Sequence, residues 1–355
     1  MDEIRKSPAL SSDQELERTS GSRDKGYERR TRCRQTGPVE AFDPTDPYDS
    51  GMLDVGDGNQ VCWETLGNPR GKPVLVLHGG PGGCSSPGTR RLFDPGSYRI
   101  VQFDQRNCGR SVPHPADGLV DLSVNTTQHL VADIELLRER LSIDRWLVWG
   151  GSWGTTLGLA YAEEFPDRVT EMILSSVVTT THAEVKWVTR AMGRVFPEEW
   201  QRFRSGVPEA DRDSDLSAAY ARLLADPDPL IRERAAAEWC RWEDTHVATY
   251  PGHRHDTRFD DPRFRLGFAT LVTHYWSNAA FLEEEALLDN ADRLTGIPGV
   301  LIHGRLDISG PADVPWNLAA RWSDAELQLL DDAGHGGGSM NSANVAATNR
   351  FARRV

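Results

Sequence analysis

The chain has 355 residues, of which 38% are hydrophobic, and its 40 basic and 53 acidic side chains leave a formal net charge of −13. The negative charge argues against a nucleic-acid partner, and no apolar run approaches the roughly 18 residues that cross a bilayer. The start of the chain mixes acids with bases and lacks the apolar stretch of a secretory signal, so we expect a cytoplasmic protein with no membrane partner.

The first 36 residues form a segment of distinct composition. They are rich in Arg, Glu, Asp and Ser and contain almost no aromatic or β-branched residues. Such a segment buries too little apolar surface to offset the entropy that it loses on ordering. We therefore expect a flexible tail over residues 1–36; an arm that covers a neighbouring subunit or the functional site is the alternative.

From residue 37 onward, strand-like runs alternate with helix-like runs. Short apolar stretches that stop at glycines predict buried strands, and amphipathic stretches that end before proline predict helices. This alternation indicates an α/β fold with a mostly parallel sheet and helices on both faces. The predicted strands cover 61–66, 74–77, 99–103, 146–149, 172–174, 299–303 and 326–330, and the predicted helices cover 126–141, 155–165, 314–322 and 342–353.

The alternation is interrupted between residues 178 and 291. This stretch is helix-like, charged and rich in tryptophan. An insertion between two halves of a parallel sheet predicts a helical cap over the ends of the strands. We therefore assign residues 37–177 and 292–355 to the core domain and residues 178–291 to the cap.

The pentapeptide GGSWG at residues 150–154 fits the pattern G-x-S-x-G, with a predicted strand before it and a predicted helix after it. A tight strand-to-helix turn of this kind exposes the serine hydroxyl above the sheet, and its glycines let neighbouring backbone pass closely. The context indicates the α/β-hydrolase fold with Ser152 as a nucleophile. The alternative is a glycine-rich turn that carries an idle serine.

A glycine run, HGGPGG at residues 78–83, follows the predicted strand at 74–77. Glycines let backbone N–H groups approach a developing oxyanion closely. We predict that the N–H groups of Gly80 and Trp153 form the oxyanion hole. A phosphate-binding loop is the alternative, but neither of the usual phosphate-loop patterns is present.

Two further loops carry the candidate acid and base. Asp307 follows the predicted strand at 299–303, and His335 follows the one at 326–330. Catalytic residues of such sheets collect in loops at the carboxyl ends of the strands, and the chain order Ser, Asp, His is that of this fold. We predict that His335 is the general base and that Asp307 orients it. Asp331 and Asp332 are competing acids, disfavoured because they are so close to His335 in sequence.

No metal or other cofactor is expected. The sequence has no H-E-x-x-H pattern and no clustered His and Cys residues. The cysteines are odd in number and lack a C-x-x-C pair, which predicts free thiols. They are Cys33, Cys62, Cys84, Cys108 and Cys240.

Four stretches together resemble the proline iminopeptidases, over roughly residues 40–353. They are HGGPGG, FDQRNCGRS at 103–111, VADIELLRERLSIDRWLVWGGSWG at 131–154, and HGRLD at 303–307. The resemblance implies release of an N-terminal proline from a small peptide or amide through an acyl-enzyme. It also implies an aromatic pocket for the proline ring beneath the helical cap, and a substrate with a free N-terminus.

The resemblance also implies substrate-binding residues. In that family, cap glutamates bind the free amine, and the stretch WCRWE at 239–243 matches the one that carries the first of them. The resemblance therefore implies that Glu243 binds the amine and that Trp242 and Gly79 also contact the substrate. The alternative for Glu243 is a solvated helix residue. The second glutamate is replaced by Val272, and Asn107 replaces a glycine common in the family.

Other functions fit the same residues. An amidase or esterase acting on a small amine-bearing metabolite needs the same Ser152, Asp307 and His335. A non-catalytic binding protein that retains these residues belongs to a different class, and the completeness of the motifs argues against it. The chain could form an oligomer under any of these functions.

Overall fold

The computed structural model describes residues 40–250 and 252–353. The tail predicted over residues 1–36 lies outside the described residues. Within them, eight strands form one sheet in the order β1-β2-β4-β3-β5-β6-β7-β8. They are β1 (Pro47–Asp54), β2 (Gln60–Gly67), β3 (Lys72–Leu77), β4 (Tyr98–Phe103), β5 (Trp146–Gly151), β6 (Val169–Ser175), β7 (Gly299–Gly304) and β8 (Ala325–Leu330).

The sheet is antiparallel at one side and parallel elsewhere. β1 pairs with β2, and β2 with β4, in the antiparallel sense, and β4, β3, β5, β6, β7 and β8 are joined by parallel ladders. Parallel neighbours need crossover connections, which here contain helices. The carboxyl ends of the parallel strands therefore meet at one edge, where the loops after β3, β5, β7 and β8 lie together.

Helices cover both faces of this sheet, because successive strand residues point to opposite sides. Leu75 and Val148 pack with Ile134, Leu157 and Leu318 on one face. The adjacent strand residues Val74, Leu147 and Trp149 pack with Val345 and Phe351 on the other. The helices of the core are α1 (Pro87–Arg90), α2 (Thr127–Arg140), α3 (Trp153–Glu164), α9 (Ala286–Asp289), α10 (Asp313–Arg321) and α11 (Met340–Ala352).

Five helices are inserted between β6 and β7 and have a hydrophobic core of their own. Aromatic side chains dominate that core, with Phe203, Trp239 and Trp242 buried together. Leu287 and Leu288 of α9, by contrast, pack into the main core, so the chain has returned to the sheet before residue 291. The inserted helices are α4 (His182–Thr189), α5 (Pro197–Ser205), α6 (Leu216–Leu224), α7 (Pro229–Val247) and α8 (Pro262–Trp276).

The α/β prediction from the sequence is confirmed. Each of the seven predicted strands and four predicted helices of the core has its counterpart, with ends shifted by a few residues. The sequence analysis missed β1, whose side chains are mostly exposed and follow no clear alternation. None of the described helices is both long and apolar enough to cross a membrane.

Candidate active site

Ser152 lies in a sharp turn between β5 and α3. Its backbone has φ +55° and ψ −125°, a strained combination for a residue with a side chain. The turn closes because Gly150 and Gly154 lack side chains: a β-carbon on Gly150 would lie 2.2 Å from the Gly154 carbonyl oxygen, and one on Gly154 would lie 2.3 Å from that of Leu77. The predicted turn is therefore present, and it holds the Ser152 side chain above the sheet edge.

A chain of hydrogen bonds joins the three residues that the sequence singled out. The Nε2 atom of His335 lies 2.9 Å from Oγ of Ser152, and its Nδ1 atom lies 2.8 Å from Oδ2 of Asp307. Asp307 follows β7 and His335 follows β8, so adjacent parallel strands bring together residues that are distant in sequence. Neither competing acid has this geometry, since Asp331 pairs with Arg305 and Asp332 accepts a hydrogen bond from Ser339.

Asp307 is buried, and both oxygens of its carboxylate accept hydrogen bonds. Oδ1 accepts the backbone N–H groups of Ser309 and Gly310 at 3.1 and 3.0 Å, and Oδ2 accepts Nδ1–H of His335. Burial alone would raise the pKa of Asp307, but the charge and hydrogen bond of His335 more than offset it, and the pKa is lowered. Desolvation likewise lowers the pKa of His335, yet Asp307 raises it above the ordinary value. The pair therefore favours an ionised Asp307 and a more basic His335.

A second histidine supports the loop of Asp307. His303, the last but one residue of β7, is fully buried; its Nδ1 accepts the N–H of Val177 at 3.0 Å, and its Nε2–H donates to the Gly310 carbonyl at 2.7 Å. These partners require a neutral ring with the proton on Nε2, and burial lowers the pKa of His303 accordingly. No role for His303 was predicted from the sequence. Its position in HGRLD, four residues before the predicted acid, was the only feature of the sequence that could have indicated this role.

The glycine run lies against the Ser152 turn. A β-carbon on Gly79 would lie 3.2 Å from that of Ser152, so glycine permits the close approach. Gln105 links the two segments, since its Oε1 accepts the indole N–H of Trp153 at 2.9 Å and its Nε2 donates to the His78 carbonyl at 3.1 Å. The backbone N–H of Trp153 is the first of α3, where no intrahelical acceptor is available.

Two cavities open beside Ser152, and both are bounded by Gly80, Glu243 and His335. The inner cavity lies under the cap, and the centre of a water molecule can move within about 60 Å³ of it. In the outer cavity, the corresponding volume for the centre of a water molecule is about 370 Å³. The inner wall is partly apolar, with Val178, Val185, Val188, Val247 and Trp276, and partly polar, with Thr180, Glu184, Glu243, His246 and Ser309. The outer wall includes Gly79, Cys84, Tyr250, His253, Asp256, Arg258, Phe259 and Phe268.

Glu243 and Trp242 are neighbours in sequence but face different surroundings. The carboxylate of Glu243 is buried, with Oε2 at 3.1 Å from Nε2 of His246 and Oε1 at 3.3 Å from the indole N–H of Trp239. Trp242 stacks on Phe203 inside the cap and is not among the residues that bound either cavity. The structure thus brings Glu243 to the Ser152 site and places Trp242 behind it. Val272 is also fully buried within the cap core.

The departure from the family motif at Asn107 has a local explanation. Asn107 has φ +61°, a left-handed conformation that asparagine tolerates better than most residues with a side chain. Its amide donates to Asn59 and Pro113 and accepts from Asn125. These hydrogen bonds hold the loop that carries Gln105. The residues that the structure describes contain no group of three or more His, Cys, Asp or Glu side chains arranged to hold a metal ion.

Comparisons with known proteins agree with this architecture. The family profile described as the alpha/beta hydrolase fold matches residues 72–337. The chain is 51% identical to a probable proline iminopeptidase of Streptomyces coelicolor, over 89% of this chain and 98% of that protein. It is 41% identical to a proline iminopeptidase of Arabidopsis thaliana, over 86% of this chain and 79% of that protein. With the proline iminopeptidase of Neisseria gonorrhoeae it shares 40% identity, over 81% and 91% of the two chains.

Solved structures with low sequence identity have the same fold. The proline iminopeptidase of Mycobacterium smegmatis aligns with a TM-score of 0.53 and 18% identity, over 86% of this chain and 95% of that one. The esterase RhEst1 of a Rhodococcus species aligns with a TM-score of 0.53 and 17% identity, over 88% and 99% of the two chains. A peptidase and an esterase match equally well, so the fold by itself does not distinguish these activities.

Proposed function

Because this chain belongs to the proline iminopeptidases within the α/β-hydrolase fold family, we propose that it releases N-terminal proline from small peptides or amides through an acyl-enzyme, acting in the cytoplasm. One observation carries the proposal: the hydrogen-bonded chain of Ser152, His335 and Asp307 adjoins a cavity that holds the buried carboxylate of Glu243. A nucleophile beside an anionic pocket suits an acyl group that carries a positive charge.

The geometry supports a two-step acyl transfer. Ser152 Oγ attacks the carbonyl carbon of the scissile bond while its proton passes to Nε2 of His335. The N–H groups of Gly80 and Trp153 then stabilise the oxyanion. The proton moves from His335 to the leaving amine as the C–N bond breaks, and the acyl group remains on Ser152. Water, deprotonated by His335, attacks the ester in the second step. The proton then passes from His335 to Oγ of Ser152 as the ester bond breaks, which releases the amino acid and restores the enzyme.

Glu243 gives this chemistry its requirement for a free N-terminus. The ammonium group of an N-terminal proline forms a charge-assisted hydrogen bond with a carboxylate, which is worth about 1.5–3 kcal/mol. A substrate whose N-terminus is blocked loses that bond and leaves the buried carboxylate without a cation. The inner cavity is the smaller of the two, which favours a short acyl group.

The test compares aminoacyl arylamides with uncharged acetyl and butyryl esters in the wild-type protein and in Glu243→Gln. We expect kcat/KM for proline arylamide to fall roughly ten- to a hundred-fold in the variant, while the esters change much less because they lack the cation. Equal losses on both substrate types would mean that Glu243 supports the cap and does not bind the amine.

An amidase or esterase acting on another small amine-bearing compound is the second candidate. The observation that favours it is the apolar Val272 at the place of the family's second glutamate. The same panel separates the two functions. Preference for prolyl over other aminoacyl arylamides supports the iminopeptidase, and faster hydrolysis of esters than of every arylamide supports the alternative.

A further inference from the structure

The inner cavity contains a second carboxylate that the sequence analysis did not assign. Glu184 is the third residue of α4 and bounds the same cavity as Ser152, Glu243 and His335. No basic side chain of the described residues lies within ion-pair distance of it, and neither lysine nor arginine is among the described residues that bound this cavity. A carboxylate that is withdrawn from water and lacks a cationic partner is costly. Glu243 has only the imidazole of His246 at 3.1 Å, so a cavity bounded by both carboxylates favours a cationic ligand.

The hydrogen bonds of Glu184 are distributed unevenly between its two oxygens. Oε2 accepts the hydroxyl of Thr179 at 2.6 Å and the N–H of Thr181 at 3.0 Å, with further contacts at 3.2 Å to the N–H of Thr179 and the hydroxyl of Thr181. Oε1 shares a single N–H, that of Thr179, at 3.2 Å. A carboxylate provides about four acceptor positions. Oε1 therefore retains the capacity to accept a donor from a ligand.

The rest of the cavity wall is suited to a small ring. Val178, Val185 and Val188 approach from the segment that also carries Glu184, and Trp276 closes the wall from α8. These apolar side chains can contact the methylene groups of a five-membered ring, while the carboxylates take its charged nitrogen.

We propose that Glu184 is a second anionic contact for the ammonium group of the substrate, in the cavity that it shares with Glu243. This inference rests on the proposed function. Glu184 would supply from α4 the acid that is missing at Val272 of α8. The alternative is that Glu184 serves only the N-terminus of α4, where it forms a capping box with Thr181.

The test separates charge from capping. Glu184→Gln keeps the shape and the acceptor that a capping box needs but removes the charge. The matched control is Thr181→Ala, which removes the capping hydroxyl and keeps the carboxylate. Both variants, and the wild type, are assayed with an uncharged butyryl ester, and inhibition is measured with pyrrolidine, a cation at neutral pH, and with tetrahydrofuran, a neutral ring of the same size.

We expect pyrrolidine to inhibit the wild type competitively and far more strongly than tetrahydrofuran. In Glu184→Gln the inhibition constant of pyrrolidine should rise about ten- to a hundred-fold, because a charge-assisted hydrogen bond is lost. The inhibition constant of tetrahydrofuran should not rise with it, because that ring carries no charge. In Thr181→Ala the constant for pyrrolidine should stay within about threefold of the wild type, although thermal stability falls. Each inhibition constant is obtained from rates of one variant with and without inhibitor, so differences in uninhibited rate between the variants do not affect it.

Three results would overturn the proposal. They are an unchanged constant for pyrrolidine in Glu184→Gln, an equal rise in Thr181→Ala, or a wild type that binds both rings alike. None of them depends on turnover of a prolyl substrate. If proline arylamide is not cleaved but pyrrolidine binding depends on the charge of Glu184, the proposed function fails and the amine site stands. If proline arylamide is cleaved but pyrrolidine binding does not depend on that charge, the proposed function stands and the role of Glu184 fails.

Discussion

At the scale of single residues, the site depends on opposing effects on two titrating groups. Burial disfavours the charged forms of both Asp307 and His335, but their mutual attraction is stronger, so the pKa of the acid is lowered and that of the base is raised. His303 lies beside this ion pair, with Nε2 at 3.8 Å from Oδ2 of Asp307, but its own hydrogen bonds require a neutral ring. Its role is to hold Val177 and Gly310 in place around the acid.

The pH dependence of Asp307→Asn tests this balance. In the wild type, His335 must be neutral to accept the proton of Ser152, so the acid limb of kcat/KM follows its raised pKa. The variant loses the charge of Asp307, which contributes most to raising this pKa, and only the charge of Glu243 is left to oppose the effect of burial. We expect activity to fall by about 10⁴-fold and the acid limb of the remaining activity to move to lower pH. The control is Asp332→Asn, which should keep both rate and profile; an unmoved limb in Asp307→Asn would contradict the account.

Another buried acid links residue chemistry to stability. Glu163 of α3 is buried, its Oε1 has no hydrogen-bond partner among the described residues, and desolvation raises its pKa to about 8 despite the charge of Arg293. A carboxyl with a raised pKa stabilises the folded state at low pH, when it is protonated. That contribution is lost as the pH rises from about 4.3, the pKa of a glutamate in the unfolded chain, through about 8, the pKa of Glu163 in the folded protein.

Glu163→Gln should therefore change the pH profile of stability. The variant is neutral at every pH, so its Tm should increasingly exceed that of the wild type between about pH 5 and pH 8 and then keep a constant lead. Thermal unfolding of both proteins across this range is the measurement, and Glu164→Gln, at an exposed neighbouring site, is the control. Parallel curves for Glu163→Gln and the wild type would show that Glu163 does not titrate as described.

At the scale of elements, a buried ion pair joins the loop after β4 to helix α2. Arg106 donates to both carboxylate oxygens of Asp133, at 2.7 and 2.8 Å, and to the carbonyls of Val55 and Val124. Burial raises the pKa of Asp133 to about 6 although Arg106 opposes it. The pair fixes the loop that carries Gln105, and Gln105 in turn contacts the Trp153 indole.

Breaking this pair from one side should destabilise the protein. Asp133→Asn removes the buried counter-charge of Arg106 and leaves only the half-exposed carboxylate of Asp57, at 3.2 Å, to balance the guanidinium, which costs up to about 3–5 kcal/mol of the free energy of unfolding. Replacing both residues with leucine should cost less than the single change, because no buried charge remains. Urea unfolding of the three proteins measures this; a loss below about 1 kcal/mol in Asp133→Asn would mean that the pair is not buried as described.

At the scale of the whole molecule, the site is formed where the carboxyl ends of parallel strands meet a cap of inserted helices. The loops of the sheet carry Ser152, Asp307 and His335, and the cap carries Glu184 and Glu243. In the proposed function, the reaction chemistry and the selectivity therefore come from separate parts of the chain. The larger outer cavity, with Arg258 and His253 at its wall, also adjoins Ser152.

The sequence carried enough information for some of these features and too little for others. The strands at 74–77 and 146–149 were predictable because they are buried on both faces and end at glycines. β1 was not, since an exposed strand shows little hydrophobic pattern. The Ser152 turn has a local signature. Thr181 and Glu184 also fit the capping-box pattern, but no motif indicates that Glu184 bounds the same cavity as Ser152.

Loss of activity in Ser152→Ala tests the central claim most directly. The change removes only the hydroxyl, and the β-carbon that already occupies the strained turn is kept, so Tm should match that of the wild type. We predict that the wild type hydrolyses proline arylamide and that kcat falls on the order of 10⁶-fold in the variant. A folded Ser152→Ala protein with activity within about tenfold of the wild type would contradict the assignment of Ser152 as the nucleophile.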